Sequence, residues 1–515
     1  MAPQFPPDVL FVIFEHFKDE YSALFNFLQV NKFWCETVVP ILWRNPLKNQ
    51  YENGKNQIPI MVKGSHSLMF CVRKESICLL RTLLTCLPNE SKNLLSQNGY
   101  ELSNEILRQP IFNYASYCRC ICTSDVSMLI WSGINKRYIS HPSFNFRVFL
   151  ITQEIYKLFF EKSTRIRQLE LMSGEHSLQY FPGVTNSLTF LTMFKCSSYI
   201  SPTIFYGLAQ ICRNIEDLTV EFCDRDHDGV NSLIRVQKEM KYFECKLING
   251  GEEQCCQLLG NALKSQAHSL LKLDLGKQSC IPLTVIPDFT YLCYLRFGLS
   301  SEISEETAEY LKKAKLPNLV TLIVDGDPVR SDILESLIIG TNGNFQKLHM
   351  SGWCPDGIDD PGYILPVLSG YCPKLKILTI WIDEDDYEEL EVLLNICQEL
   401  ECIYLRCANM YTDEPELFNI LRRVEMPNLS KLKLEDCWLV DQAYAFEEFL
   451  RFRKNREDVK PISLEVVGYI NSEMYLDILS LYRWYGVLKE TKVLVYGEDS
   501  APDDILPPWK VAAKF

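Results

Sequence analysis

Long apolar runs are missing from these 515 residues: no stretch approaches the roughly 20 residues a helix needs to cross a bilayer. The start, Phe5-Pro6-Pro7-Asp8, lacks a basic region leading into an apolar one, so no secretory signal is read there and no membrane is expected as partner. The expected compartment is the cytoplasm, the nucleus or both. Positive charge is short as well. Lys and Arg number 52 against 66 Asp and Glu, a formal net charge of −14, which argues against nucleic acid as the main partner because phosphate binding needs a positive field. The seven histidines are scattered, and no glycine-rich phosphate loop is present. No Ser/His/Asp or Cys/His arrangement can be assembled from the sequence. A chain that is not an enzyme and needs no cofactor or metal is therefore expected.

Cysteine is the exception to this scarcity, with 21 residues, irregularly spaced. The tight clusters, Cys118-Arg-Cys-Ile-Cys122 and Cys255-Cys256, lack the second C-x-x-C or the paired histidines of a tetrahedral zinc site. Buried free thiols acting as small apolar side chains are the better reading. Asp224-Arg-Asp-His-Asp-Gly229 opens like a calcium loop, but the twelfth position, where a bidentate Glu belongs, is Arg235. That stretch reads as a solvated turn.

At the other end of the scale, the first 46 residues are crowded with apolar side chains. Pro7 suits a first helical position and Asp8 the first turn. Leu10, Ile13, Phe14 and Phe17 then fall on one helical face. Leu24, Phe27, Leu28 and Val30 follow, then Phe33, Trp34 and Val38 up to Pro40, and Ile41-Leu42-Trp43. Three such short helices cannot bury all this surface among themselves, so a partner is expected. Phe5-Pro6-x-Asp8-Val9-Leu10-x-x-Ile13-Phe14-x-x-Phe17, with Val30-Asn31-Lys32-Phe33-Trp34 and Trp43, resembles an F-box, with Phe5 where the family usually has Leu. The ending Trp34 to Pro46 is similar to the version in large fungal sets of such proteins. The resemblance implies docking onto a Skp-type adaptor of a cullin–RING ubiquitin ligase. Pro6, Leu10, Ile13, Phe14, Leu28, Val30 and Trp34 would then form the contact or the small core behind it. The alternative is an ordinary helical cap on a larger domain.

From Ile166 the chain repeats itself. An apolar residue, two others, an apolar, one other, an apolar recurs at Ile166/Leu169/Leu171, Leu188/Leu191/Met193, Ile215/Leu218/Val220 and, weakly, Met240/Phe243/Cys245. It continues at Leu270/Leu273/Leu275, Leu292/Leu295/Phe297, Leu319/Leu322/Val324, Phe345/Leu348/Met350, Leu375/Leu378/Ile380, Leu400/Ile403/Leu405 and Leu429/Leu432/Leu434, at intervals of 22 to 30 residues. Frayed copies follow at Ile462–Val466 and Val493–Val495. Helical patterns lie between, such as Asp383 to Cys397, Asp332 to Ile339 and Asp413 to Leu421. These units resemble leucine-rich repeats. Some are similar to the cysteine-containing subclass, with Cys212, Cys372 and Cys397 before the core or Cys196, Cys223 and Cys437 after it.

The fold expected is thus α/β: a three-helix F-box over 1–46, a mostly helical linker over 47–160, then a leucine-rich-repeat solenoid over 161–515. Parallel strands would line its concave face and helices its convex face. The function implied is a substrate receptor of a Skp–cullin–F-box ligase that captures a target protein for ubiquitination and proteasomal degradation. A scaffold that binds proteins without ubiquitin transfer is the alternative.

Strand alternation would point Lys347, His349, Ser351, Ile377, Thr379, Trp381, Cys402, Tyr404, Arg406, Lys431, Lys433 and Glu435 to the concave face. Lys347, His349, Trp381, Tyr404, Arg406 and Lys433 are the candidate target-binding residues, suited to an acidic or phosphorylated segment. The competing reading is a solvated strand face.

Overall fold

Proline and asparagine set the ends of the first helices. In the computed structural model, Pro7 stands in the first turn of α1 (Pro7–His16). After α2 (Tyr21–Leu28), Asn31 caps α3 (Lys32–Leu42), its side-chain oxygen accepting the Trp34 N–H at 2.9 Å. Leu10, Phe14, Leu24, Val38, Ile41 and Leu42 close one small core. Phe14 stacks on Phe27 at 4.9 Å and meets Trp34 edge-on at 5.0 Å. The structure describes residues 5–47, 59–60, 70–71, 74–133, 144–174, 176–223, 225–246, 256–277, 280–299, 303–326, 330–351, 362–407, 416–438, 443–456, 459–469 and 472–495. The chain divides into two compact units, Met1–Leu270 and Leu271–Phe515.

In the first unit, the stretch expected as a helical linker carries α4 (Lys74–Cys86), α5 (Asn89–Gln97), α6 (Thr123–Gly133) and α7 (Phe144–Lys162). A two-residue antiparallel pair, β1 (Pro59–Ile60) and β2 (Phe70–Cys71), precedes them. One element there is unexpected. β3 (Cys120–Cys122) pairs in parallel with β4 (Gln168–Leu171), so the sheet begins inside the stretch read as linker. Its single inward residue, Ile121, is too little apolar signal to register as a repeat. β5 (Met193–Ser197), β6 (Asp217–Glu221) and β7 (Tyr242–Lys246) follow in chain order, all parallel.

One repeat is corrected. Phe194 and Cys196, not Leu191 and Met193, align with Leu169 and Leu171, and Met193 is an exposed side chain. The core of that unit is Leu191/Phe194/Cys196, while Leu188 ends the short helix Val184–Leu188.

The repeats are tied by a backbone ladder in which one carbonyl accepts two successive N–H groups from the next unit. The Arg44 carbonyl takes Arg119 and Cys120 at 2.8 and 3.1 Å, Arg119 takes Arg167 and Gln168, and Arg167 takes Thr192 and Met193. Buried glutamines reinforce it: Gln237 donates to the Cys212 carbonyl at 3.0 Å and accepts the Ile215 N–H at 2.9 Å. Gln266 does the same for Gln237 and Met240. Cysteines serve similarly, the Cys212 thiol lying 3.7 Å from the Leu188 carbonyl. Burial pushes that thiol up to about 12, so it stays a protonated donor. Asp224 lies outside the described residues, but Asp226 accepts the Leu258 and Leu259 N–H groups and His227 caps the helix Asp228–Arg235, so the rest of that turn serves packing.

Among the described residues the second unit contains nine parallel strands in chain order: β8 (Lys272–Asp274), β9 (Tyr294–Leu299), β10 (Thr321–Gly326), β11 (Lys347–Met350), β12 (Ile377–Ile382), β13 (Cys402–Cys407), β14 (Lys431–Trp438), β15 (Ile462–Tyr469) and β16 (Leu488–Val495). The two frayed sequence copies are therefore strands. Leu322, Leu348, Leu378, Ile403, Leu432 and Leu464 stand in one register across β10 to β15, all buried. Helices such as Ser331–Ile339, Tyr387–Ile396 and Glu416–Arg423 separate the strands, as expected for crossovers. Each unit is thus α/β with an open parallel sheet, an arrangement compatible with a repeat solenoid. Sixteen described cysteines take part in no disulfide. Cys407 departs from the expected pattern, being disulfide-bonded. Among the described residues no helix is long and apolar enough to cross a membrane.

Candidate binding surfaces

The sequence makes α1 apolar almost all round, and the core can take only one side of it. Leu10 and Phe14 point inward, with Leu28 and Trp34 half-buried against the same cluster. Pro6, Ile13 (37% exposed) and Val30 (54%) remain outside. Phe5, Val9, Val12 and Phe25 join them as exposed large apolar side chains. Of the residues expected to touch an adaptor, the helices thus divide a supporting set from a presented one. The Arg44 guanidinium partly covers Phe11, 5.6 Å from its ring centre, while pairing with Glu15 at 2.5 Å. These exposed apolar groups lie on or beside two short helices, α1 and α2.

Beside these helices, still in the first unit, a cleft of about 640 Å³ is lined by Lys18, Asp19, Arg44, Cys120, Cys122, Asp125 and Glu170 among others. Burial pushes the Cys122 thiol up to about 11, so it is protonated and a poor nucleophile.

In the second unit, strand register brings the candidate target-binding residues together. His349 pairs with Thr379, Thr379 with Tyr404 and Tyr404 with Lys433; one step on, Trp381 pairs with Arg406 and Arg406 with Glu435. The Arg406 guanidinium packs over Trp381 at 5.4 Å and Tyr404 at 5.1 Å. It donates to the Tyr404 hydroxyl at 3.1 Å, to Glu435 at 3.3 Å and to the Ser351 carbonyl at 3.0 Å. Lys433 donates to the same hydroxyl at 3.1 Å and lies 3.4 Å from Glu435 and 3.7 Å from Glu465. Burial holds the Lys433 ammonium down to about 8, against the opposing pull of Glu465.

The network continues along the sheet. Arg296 pairs with Asp325 at 2.6 Å and Asp274 at 3.7 Å, and Ser351 donates to Asp325.

This face is not a simply solvated one. Lys347 is exposed and Trp381 and Arg406 are half-buried, but His349, Thr379, Tyr404, Lys433 and Glu435 are buried. Tyr404 and Lys433 therefore serve as the floor of the surface rather than as projecting anchors. The sequence reading missed Arg296, Asp325 and Glu465. Their signal was present in the alternation: Arg296 and Glu465 stand in the row of His349, and Asp325 stands two residues after Ile323 of that row. No known protein family matches this chain, and no curated protein does.

Proposed function

We propose that this chain is the target-binding subunit of a Skp–cullin–F-box-type ubiquitin ligase. The exposed apolar face of α1 and α2 would dock a Skp-type adaptor, and through it a cullin–RING assembly. The repeats would hold a target protein for ubiquitination and degradation. The observation that carries the reading is the division of the N-terminal helices into a closed core and a presented face of Val9, Val12, Ile13, Phe25 and Val30. The order of motifs in the sequence agrees with it. On this reading the chain contributes no bond-making chemistry and acts by holding the target near the transfer machinery.

The test is purification of the chain from cells with its partners. Adaptor, cullin and RING subunits recovered together support the ligase. Adaptor alone supports the second reading, a scaffold without ubiquitin transfer, and recovery of none of them removes both.

A further inference from the structure

The cleft beside the N-terminal helices has a volume of about 640 Å³, within the range of ligand-sized sites. Cys120, Ile121 and Cys122, the whole of β3, line it. Ile121 points into the core and is only 1% exposed, so what it offers to the cleft is backbone. The cleft therefore runs along the edge of the strand as well as over its face.

β3 ends its sheet, with β4 on one side. On the other side the Arg44 carbonyl accepts the Arg119 and Cys120 N–H groups, in the place a preceding strand would hold. Backbone groups alternate in direction along a strand, so the Cys122 N–H and carbonyl point to the same outer side as those of Cys120. Among the described residues no N-terminal backbone group bonds them. An extended segment lying in the cleft can.

Charge selects the segment. Glu170 accepts the Gln168 amide at 2.9 Å and Asp125 the Cys122 thiol, both neutral donors. Among the described residues neither carboxylate is in an ion pair. Lys195, whose charge both feel, is bonded to Glu221 at 2.9 Å, and Lys246 lies 3.1 Å from Glu244 and 4.0 Å from Glu221. Of the cations lining the cleft, Arg44 pairs with Glu15 and packs on Phe11, and Lys18 is an exposed residue next to Asp19. Arg119 spends its guanidinium on the Ser116 and Cys118 carbonyls. Burial first, and then Glu170, hold the Asp125 carboxyl above the ordinary carboxylate range, against the Cys122 thiol and Lys195.

We infer that this cleft is a docking site for a basic segment of a partner protein, which adds to the outer edge of β3 and seats a Lys or Arg side chain against Asp125 and Glu170. Cys122 stands opposite Glu170 in register, so a residue added outside Cys122 lies two strand spacings, about 10 Å, from Glu170 and presents its side chain on the same face. A long basic side chain spans that gap. Main-chain bonds at the edge give affinity and the side-chain pocket gives selectivity. The inference deepens the target-capture reading and rests on it only for the partner being the target. The site itself is testable on the chain alone.

The experiment is methyl NMR of the full chain with labelled isoleucine. The signals of Ile41 and Ile121, both in the cleft wall, are assigned by their loss in Ile41→Val and Ile121→Val. Four probes are titrated at matched ionic strength: acetyl-Val-Lys-Val-amide, its glutamate and norleucine counterparts, and n-butylammonium, which is the lysine side chain without a backbone. The expected result is a saturable shift with the lysine peptide, tighter than with any other probe. Asp125→Asn and Glu170→Gln, which keep side-chain size, should each weaken that binding about tenfold. Unchanged isoleucine signals away from the cleft show that each variant is folded.

No saturable shift with the lysine peptide, equal binding of the norleucine or glutamate peptide, or an unchanged affinity in either carboxylate variant would overturn the inference. Butylammonium binding as tightly as the lysine peptide would overturn it too, since the strand edge would then contribute nothing. Adaptor binding by the N-terminal helices is measured separately, so the two readings fail independently.

Discussion

Replacing Val12 and Ile13 together by Asp should abolish adaptor binding while leaving the free chain folded. Val9, Val12, Ile13, Phe25 and Val30 are 43%, 57%, 37%, 57% and 54% exposed. Full burial of such a side chain is worth about 1.5–3 kcal/mol, so covering what remains exposed on these five offers about 4–7 kcal/mol before binding costs are subtracted. The double substitution removes two of these contributions and forces two carboxylates into an apolar contact, costing several kcal/mol more. A loss beyond about 4 kcal/mol is a weakening of about a thousandfold.

In the uncomplexed chain the same positions face water, so stability should move by no more than about 0.5 kcal/mol. Leu10→Asp is the contrasting variant. Its side chain is 3% exposed, so the three-helix core should lose its fold and adaptor binding together. Calorimetric titration of a purified Skp-type adaptor, paired with thermal melts, reads both quantities. Wild-type affinity in the double variant would refute the docking face. A melt shifted as far as that of Leu10→Asp would refute the division into core and presented residues.

Three further outcomes follow from the packing. Leu378→Ala, at a fully buried row position, should cost about 2–5 kcal/mol, felt chiefly by neighbouring repeats and read by chemical denaturation. Gln266→Ala should cost about 1–3 kcal/mol, because it leaves the Met240 N–H and the Gln237 carbonyl without the bonds Gln266 makes to them, with hydrogen exchange at Met240 as the check. His349 has its folded-state pKa lowered from 6.5 to about 4, so the unfolded chain binds more protons in that window and stability should fall as pH drops from about 6.5 to 4. His349→Gln should flatten that part of the pH-stability curve relative to the parent, and an unchanged slope would show that His349 is not buried as described.

The row Leu322, Leu348, Leu378, Ile403 and Leu432 was legible because a parallel strand buried on one face repeats its apolar positions at fixed offsets. The reading slipped at Leu188/Leu191/Met193. Leu188 closes a short helix and Leu191 lies two residues before the strand, and together they mimic the first half of the motif. β3 was invisible because three residues with one inward side chain carry no period. At the sheet face, alternation gave the correct row members but not their state. Which cation meets which carboxylate depends on partners about thirty residues apart, as with Arg406 and Glu435 or Arg296 and Asp325. Burial of Lys433 and Tyr404 likewise arises from neighbours that sequence spacing does not order. In the N-terminal helices the apolar excess was plain, but the choice of inward and outward residues needed the positions of α2 and α3.

The Arg44 carbonyl, which accepts both Arg119 and Cys120, gives the N-terminal helices a second role. A parallel sheet ends in a row of unpaired donors and acceptors that invites another chain to add a strand. At β3 two of those donors are already taken, by a residue at the close of α3 rather than by a strand. The N-terminal helices thus act as a stopper on that edge. A chain lacking residues 1–46 would bare these N–H groups next to Ile121 and become a template for edge-to-edge association. Its self-association would then come from an uncapped end rather than from a misfolded core.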